Sequence, residues 1–288
     1  MMKHIAIVPI TLGLSAATAL AGPAETVAPS SEWVGDITLG YNYTNLSGED
    51  NASNEAGAFG AFDLEFQLGR QFDNYFVQFD LFGEFTDIDS NENDSYDDGL
   101  GIAAHVMRDT SFGGIGGFIG ALETHQDEDN TDSSERYFAG LEAKWDPSDC
   151  SSYYFQVGYF FGAGGNDSNG RDSLREATFL RVVGTKELTE CLSLIGEVGY
   201  VTGEMDSDDD GVDIVNLGIA LNKQISDSLV ASLSYDYAYY HQEEQTGKLT
   251  EHVLGLSLTY SFGASERGTD LSVPRVLRMS GMTGGQLE

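Results

Sequence analysis

Leu254-Gly255-Leu256-Ser257-Leu258-Thr259-Tyr260-Ser261-Phe262 decides the fold. Every second residue is large and apolar, and those between are small or polar. Side chains of an extended chain point to opposite faces with period two, so this is a strand with one greasy and one wet face. Phe62-Asp63-Leu64-Glu65-Phe66-Gln67-Leu68 repeats the pattern with carboxylates on the wet face. Working outward from these two stretches, twelve segments alternate: 33–45, 56–69, 74–87, 99–108, 112–123, 136–146, 152–163, 174–186, 192–203, 212–223, 228–241 and 249–262. Each spans roughly 10 to 14 residues, about twice a usual globular strand. That is the length a tilted strand needs to cross a bilayer.

The connections are sorted by length. Long acidic loops follow the odd segments, at 47–55, 88–98, 124–135, 164–173, 204–211 and 242–248. Short turns follow the even ones, at 70–73, 109–111, 147–151, 187–191 and 224–227. A membrane barrel has short turns at one rim and long loops at the other; a soluble sandwich has no reason to sort them. Trp33, Tyr41, Tyr43, Tyr75, Phe85, Tyr137, Trp145, Tyr153, Tyr200, Tyr235, Tyr237, Tyr239 and Tyr260 share the apolar parity. Amphipathic rings near strand ends match the interfacial girdles of such barrels. The pattern predicts an all-β fold: a single antiparallel up-and-down transmembrane β-barrel of about 12 strands over 33–262.

Composition agrees. The chain has 288 residues with 35 Gly, 14 Tyr, 16 Phe and only 5 Pro, a mixture suited to strands. Acids outnumber bases 47 to 14, for a formal net charge of -33. That excess excludes a nucleic-acid binder, which needs cations to replace phosphate counterions. Residues 1–21 read as a signal peptide: Lys3, an apolar run from Ile5 to Leu20, then the small-x-small site Ala19-Leu20-Ala21. Residues 22–32 are expected to be a periplasmic segment. Residues 263–288 hold Pro274 and several glycines without a strand pattern, and are expected to be a disordered tail.

The chain resembles a Gram-negative outer-membrane β-barrel of the small porin-like kind. The resemblance covers 33–262, and its sharpest motif is the terminal alternation of Leu256, Leu258, Tyr260 and Phe262. In that family this ending is read by the barrel-insertion machinery. Family members usually stop at the aromatic, whereas this chain runs on. The resemblance implies the outer membrane as location, and its lipid and lipopolysaccharide as partners. It implies small hydrophilic solutes as cargo.

Parity also assigns the lumen. Asp63, Glu65, Asp80 and Glu84 point inward, and the turn at 70–73 would set Asp63 opposite Asp80 with Glu65 diagonal. Facing carboxylates are destabilising unless water, a cation or an arginine neutralises them. This makes a cation-attracting patch, weighed against a solvated wall. Arg175 and Arg181 point inward from the eighth strand, with Arg181 nearly opposite Glu197. Glu142 and Lys144 share a face and are expected to neutralise each other; Asp236 and His105 also point inward. Inward Phe76, Phe82, Phe138, Tyr154, Phe160, Phe179 and Tyr240 set against this an alternative in which the lumen is closed.

Asp206-Ser207-Asp208-Asp209-Asp210-Gly211 opens like a calcium loop, but Leu217 holds the twelfth position where a bidentate Glu is needed. A loosely bound calcium or magnesium at Asp206, Asp208 and Asp210 is weighed against a solvated loop tip; no other cofactor is expected. Cys150 and Cys191 both fall in short turns, about two strand spacings or 10 Å apart. Export and a shared rim predict a disulfide, provided the turns lean together. No Gly-x-Ser-x-Gly elbow exists, and outward His252 has no outward serine partner, so no enzyme is expected. The sequence predicts a narrow, water-filled, cation-preferring channel for small hydrophilic solutes. The alternative is a non-conducting structural or adhesive barrel whose acidic loops bind partners or divalent cations. No strand stands out as an oligomer interface.

Overall fold

The computed structural model describes residues 33–48, 58–87, 98–125, 133–163, 174–205, 211–242, 248–263 and 272. Twelve strands follow in order: β1 (Trp33–Gly48), β2 (Ala58–Phe72), β3 (Tyr75–Asp87), β4 (Asp98–Thr110), β5 (Gly113–His125), β6 (Ser133–Ser148), β7 (Ser151–Ala163), β8 (Leu174–Thr189), β9 (Leu192–Met205), β10 (Gly211–Ser226), β11 (Leu229–Gln242) and β12 (Lys248–Phe262). Each pairs antiparallel with the next, and β1 closes on β12 from Gly35↔Phe262 to Gly48↔Leu249. Closure removes the unpaired strand edges that hydrocarbon does not tolerate.

The alternation sorts as the pattern requires. Leu39, Leu64, Ile102, Ile119, Leu141, Leu217 and Leu256 lie exposed on the outer wall. Gln67, Gln78, His105, Gln156 and Asn216 lie buried on the inner one. Between the rims the outer face carries no charged side chain among the described residues. Near the long-loop rim, tyrosines lay their rings along this face and send their hydroxyls rimward. Tyr137 donates to Glu135 (2.8 Å) and Tyr200 to Asp213 (2.5 Å), and Tyr159 bonds Glu176. An apolar body with a polar tip suits the boundary between lipid and water. Outward His252 meets Tyr235 Oη at 2.8 Å.

The short-turn rim differs in detail from the sequence reading. All five turns are two residues long, at 73–74, 111–112, 149–150, 190–191 and 227–228. Asp73 takes a left-handed φ of 51° in the first of them. The first hairpin therefore closes two residues later than expected, at Phe72↔Tyr75. Pro147, expected in a turn, lies within β6, whose pairing with β7 shifts between Trp145 and Ser148. Such a bulge accommodates a residue that cannot donate to the ladder.

The two cysteines are free and exposed, contrary to the expected disulfide. Each turn is bonded to the strand beyond it. Glu187 N bonds Cys150 O and Gln224 N bonds Cys191 O, each at 2.9 Å. Asp109 with Asn74, Asp146 with Phe112, and Ser261 with Ser228 repeat the arrangement. In each case the ladder to the next strand runs one pair into the turn. Cys150 sits on the turn between β6 and β7 and Cys191 on the turn between β8 and β9. The expected signal peptide (1–21), the segment 22–32 and the loop residues Asp206, Asp208 and Asp210 lie outside the described residues. So does the tail 263–288, apart from Gly263 and Ser272.

Candidate functional site

The inner wall is layered along the barrel axis. On the long-loop side, Phe82, Phe118, Leu122, Phe138, Phe160, Phe179, Val201, Ile214, Tyr240 and Leu249 belong to one buried apolar cluster. On the short-turn side, Val34, Phe76, Met107, Tyr154, Val183 and Ile195 form a second. A polar belt lies between them. The layering follows strand by strand from the inward parity: on β8, for example, Phe179, Arg181 and Val183 occupy successive inward positions.

The belt is a chain of side chains. Gln78 Nε2 donates to Asp80 Oδ1 (2.6 Å), and Asp80 Oδ2 lies 3.2 Å from His105 Nε2. His105 Nδ1 is 2.9 Å from Glu142 Oε2. The inward residue of β5 between them is Gly116, paired with both Met107 and Glu142, so no side chain intervenes. Glu142 Oε2 also accepts from Tyr154 Oη at 2.5 Å, and Gln156 Nε2 donates to that hydroxyl at 2.7 Å. Arg181 Nη1 donates to Gln156 Oε1 (2.9 Å), and Arg181 Nη2 to Glu197 Oε2 (2.8 Å). Asn216 Nδ2 completes the run onto Glu197 Oε1 at 3.3 Å. On the facing wall, Asn42 Nδ2 donates to Asp63 (2.6 Å) and Glu84 (3.4 Å), and Gln67 Nε2 to Glu65 (3.1 Å).

Several sequence-predicted partners change. Asp63 faces Glu84, not Asp80, and Asp80 faces Gln67, because the hairpin closes at 73–74. The like-charged pair is real but differs in its members, and Asn42 bonds both. Glu142 is engaged by His105 and Tyr154; Lys144 instead lies 3.8 Å from Asp146. Arg175 leaves the wall. The register shift between Leu174 and Glu176 places it at the long-loop rim, half-exposed and paired with Glu204. The Arg181–Glu197 pair forms as expected, across a diagonal of β8 and β9. Asp236 is buried inward. Gln67 and Gln78 share the inward parity of their acidic neighbours, as the alternation requires; Gln156 and Asn216 were missed as members, and their signal was inward parity beside an inward charge in a neighbouring strand.

Charge and packing act together here. Among the described residues, eight carboxylates are buried (Asp36, Glu65, Asp80, Glu84, Glu142, Glu197, Asp236 and Glu251). Two arginines (Arg136 and Arg181) and His105 are buried with them. Ionised carboxylates in that excess draw positive charge into the belt. The side chains of the belt and of both apolar clusters are buried.

No family model matches the sequence, and no curated protein matches it. Solved structures do match in shape. An outer-membrane channel from Pseudomonas putida F1 is similar with a TM-score of 0.56 at 14% identity, over 82% of this chain and 97% of that one. The NanC porin gives 0.51 at 11% identity, over 77% and 98%. The CymD monoaromatic hydrocarbon channel gives 0.50 at 12% identity, over 92% and 100%. The chain has the fold of an outer-membrane β-barrel.

Proposed function

We propose that this protein is an outer-membrane channel for the passive diffusion of small hydrophilic solutes, and that it prefers cations. The observation that carries the reading is the excess of buried carboxylates in the belt. A cation entering that layer exchanges water for carboxylate and amide oxygens, while an anion meets repulsion. Arg181 faces Glu65 and Glu197 electrostatically and opposes the acidic wall of β2 and β3. The apolar clusters on either side limit passage to what can cross a narrow, poorly wetted constriction. The similar barrels that are channels or porins support the general role. No cofactor or covalent step is involved, and surface loops with lipopolysaccharide and divalent cations around them complete the setting.

The burial of the inward apolar and polar side chains favours a second reading, a barrel that is closed at rest. Planar-bilayer recording in a potassium chloride gradient tests both. Cation-selective steps are expected. Silence under all conditions overturns the channel, and a reversal potential of the opposite sign overturns the charge reading. Asp80→Asn with Glu65→Gln should move the reversal potential toward zero; an unchanged value places the filter elsewhere.

A further inference from the structure

On the outer wall near the short turns, the strands carry Arg70, Arg108, Lys186 and Lys223 at outward positions. Two of them flank one strand. Arg70 pairs with Val77 across the β2–β3 ladder, and Arg108 pairs with Tyr75 across the β3–β4 ladder. They stand two strand spacings apart, about 10 Å, and are offset by one outward position along the strands. Neither arginine has an ion-pair partner among the described residues. The nearest carboxylates belong to the turns: Asp73 at the tip of the first hairpin, and Asp109, which points inward and accepts from Gln71 Nε2 at 2.7 Å. The Arg70 guanidinium lies 5.4 Å from the ring centre of Trp33 and 5.1 Å from that of Phe72. Its Nε is buried and donates to no acceptor among the described residues. A guanidinium laid against rings keeps its N–H edge for an acceptor in its own plane. Toward the middle of the wall the same three strands expose Leu64, Phe79, Leu81, Ile102 and Val106.

We propose that Arg70 and Arg108, with Tyr75 between them, bind the phosphate of an anionic glycerophospholipid in the leaflet at the short-turn rim. Each guanidinium presents a planar fork of donors that matches the oxygens of a phosphate, and Tyr75 carries a hydroxyl donor beside them. The exposed apolar strip takes the acyl chains of the same molecule. That strip is what favours a lipid over a dissolved anion: a chain with a net charge of -33 repels free phosphate, whereas a headgroup is held at the rim by its own tails. Two cations without a carboxylate also favour a headgroup of net negative charge. A zwitterionic headgroup would bring its ammonium group against them. The site requires the barrel and the lipid around it, and it does not require conduction.

The chain has 2 tryptophans, so Trp145→Phe in the full-length protein leaves Trp33 as the only one. Trp33 pairs directly with Arg70 across the β1–β2 ladder and reports on lipid at the site. Its fluorescence is measured in phosphatidylcholine vesicles that contain either phosphatidylglycerol or phosphatidylcholine with brominated acyl chains, which quench on contact. Brominated phosphatidylglycerol should associate about fivefold more strongly or better, the factor one basic residue gives at an anionic surface. Arg70→Gln with Arg108→Gln should bring the two lipids to equal quenching, while Lys186→Gln with Lys223→Gln should leave the excess in place. Equal quenching by both lipids in the protein with its arginines intact overturns the site. Loss of the excess in the lysine variant overturns it too, since attraction would then be spread around the rim. Inorganic phosphate added at constant ionic strength should change nothing; if it abolishes the excess, the occupant is a free anion and the lipid assignment falls.

Discussion

At the residue scale, the belt is held by contacts between positions far apart in sequence. Arg181 and Glu197 are both buried and joined at 2.8 Å. Removing one member of such a pair leaves the other uncompensated, at a cost of about 3–5 kcal/mol. Arg181→Ala should therefore destabilise the barrel strongly, while Arg181→Ala with Glu197→Ala should restore part of the loss. Denaturant unfolding of the single and double variants in lipid measures this; additive losses would show that the pair is not coupled. The sequence allowed this pair to be read, because parity and a short turn place both side chains on one wall. It did not allow the His105–Glu142 contact to be read. Those residues stand 37 apart on strands that are not neighbours, and the contact exists because Gly116 between them has no side chain. Parity counting has no means of seeing across an intervening strand. It also fails at Arg175, where a single extra residue at the start of β8 reverses the face.

At the element scale, the two-residue turns fix every register on the short-turn side. A turn misplaced by two residues keeps the parity and changes the partner, which is why Asp63 was matched with Asp80 while its face was right. Asp73 carries the left-handed φ that closes the first hairpin. Glycine adopts that conformation without strain and a β-branched residue does not. Asp73→Gly should leave stability within about 0.5 kcal/mol, and Asp73→Val should cost about 1–2 kcal/mol. Equal unfolding midpoints for the two variants would refute the role given to this turn. The turns also decide the cysteines. Cys150 and Cys191 are exposed on separate turns, each bonded to the next strand through its carbonyl oxygen. Both should react with a polar thiol reagent in the folded, untreated protein, giving two labels per chain by mass. Labels appearing only after reduction would show a bridge instead.

At the scale of the whole molecule, the net charge of -33 divides by surface. The lumen holds buried acids, the long-loop rim holds Glu135, Glu176, Glu204 and Asp213, and the outer wall between the rims has no charged group among the described residues. That uncharged band was legible from alternation alone, since period two separates lipid-facing from lumen-facing positions without any tertiary knowledge. What the band implies is a depth-dependent penalty. Leu141 is 68% exposed at the middle of β6, opposite Gly117 and Val157. Ile225 is also exposed, but it lies at the short-turn end of β10 near Lys223. In water the two positions would tolerate a charge equally. In a bilayer, Leu141→Arg should cost about 2–4 kcal/mol and Ile225→Arg about 0–1 kcal/mol, because the first guanidinium sits at the midplane and the second reaches the headgroups. Reversible unfolding from vesicles, with each variant compared to the parent, reads the difference directly. A small and equal cost at both sites would mean that the outer wall does not face hydrocarbon.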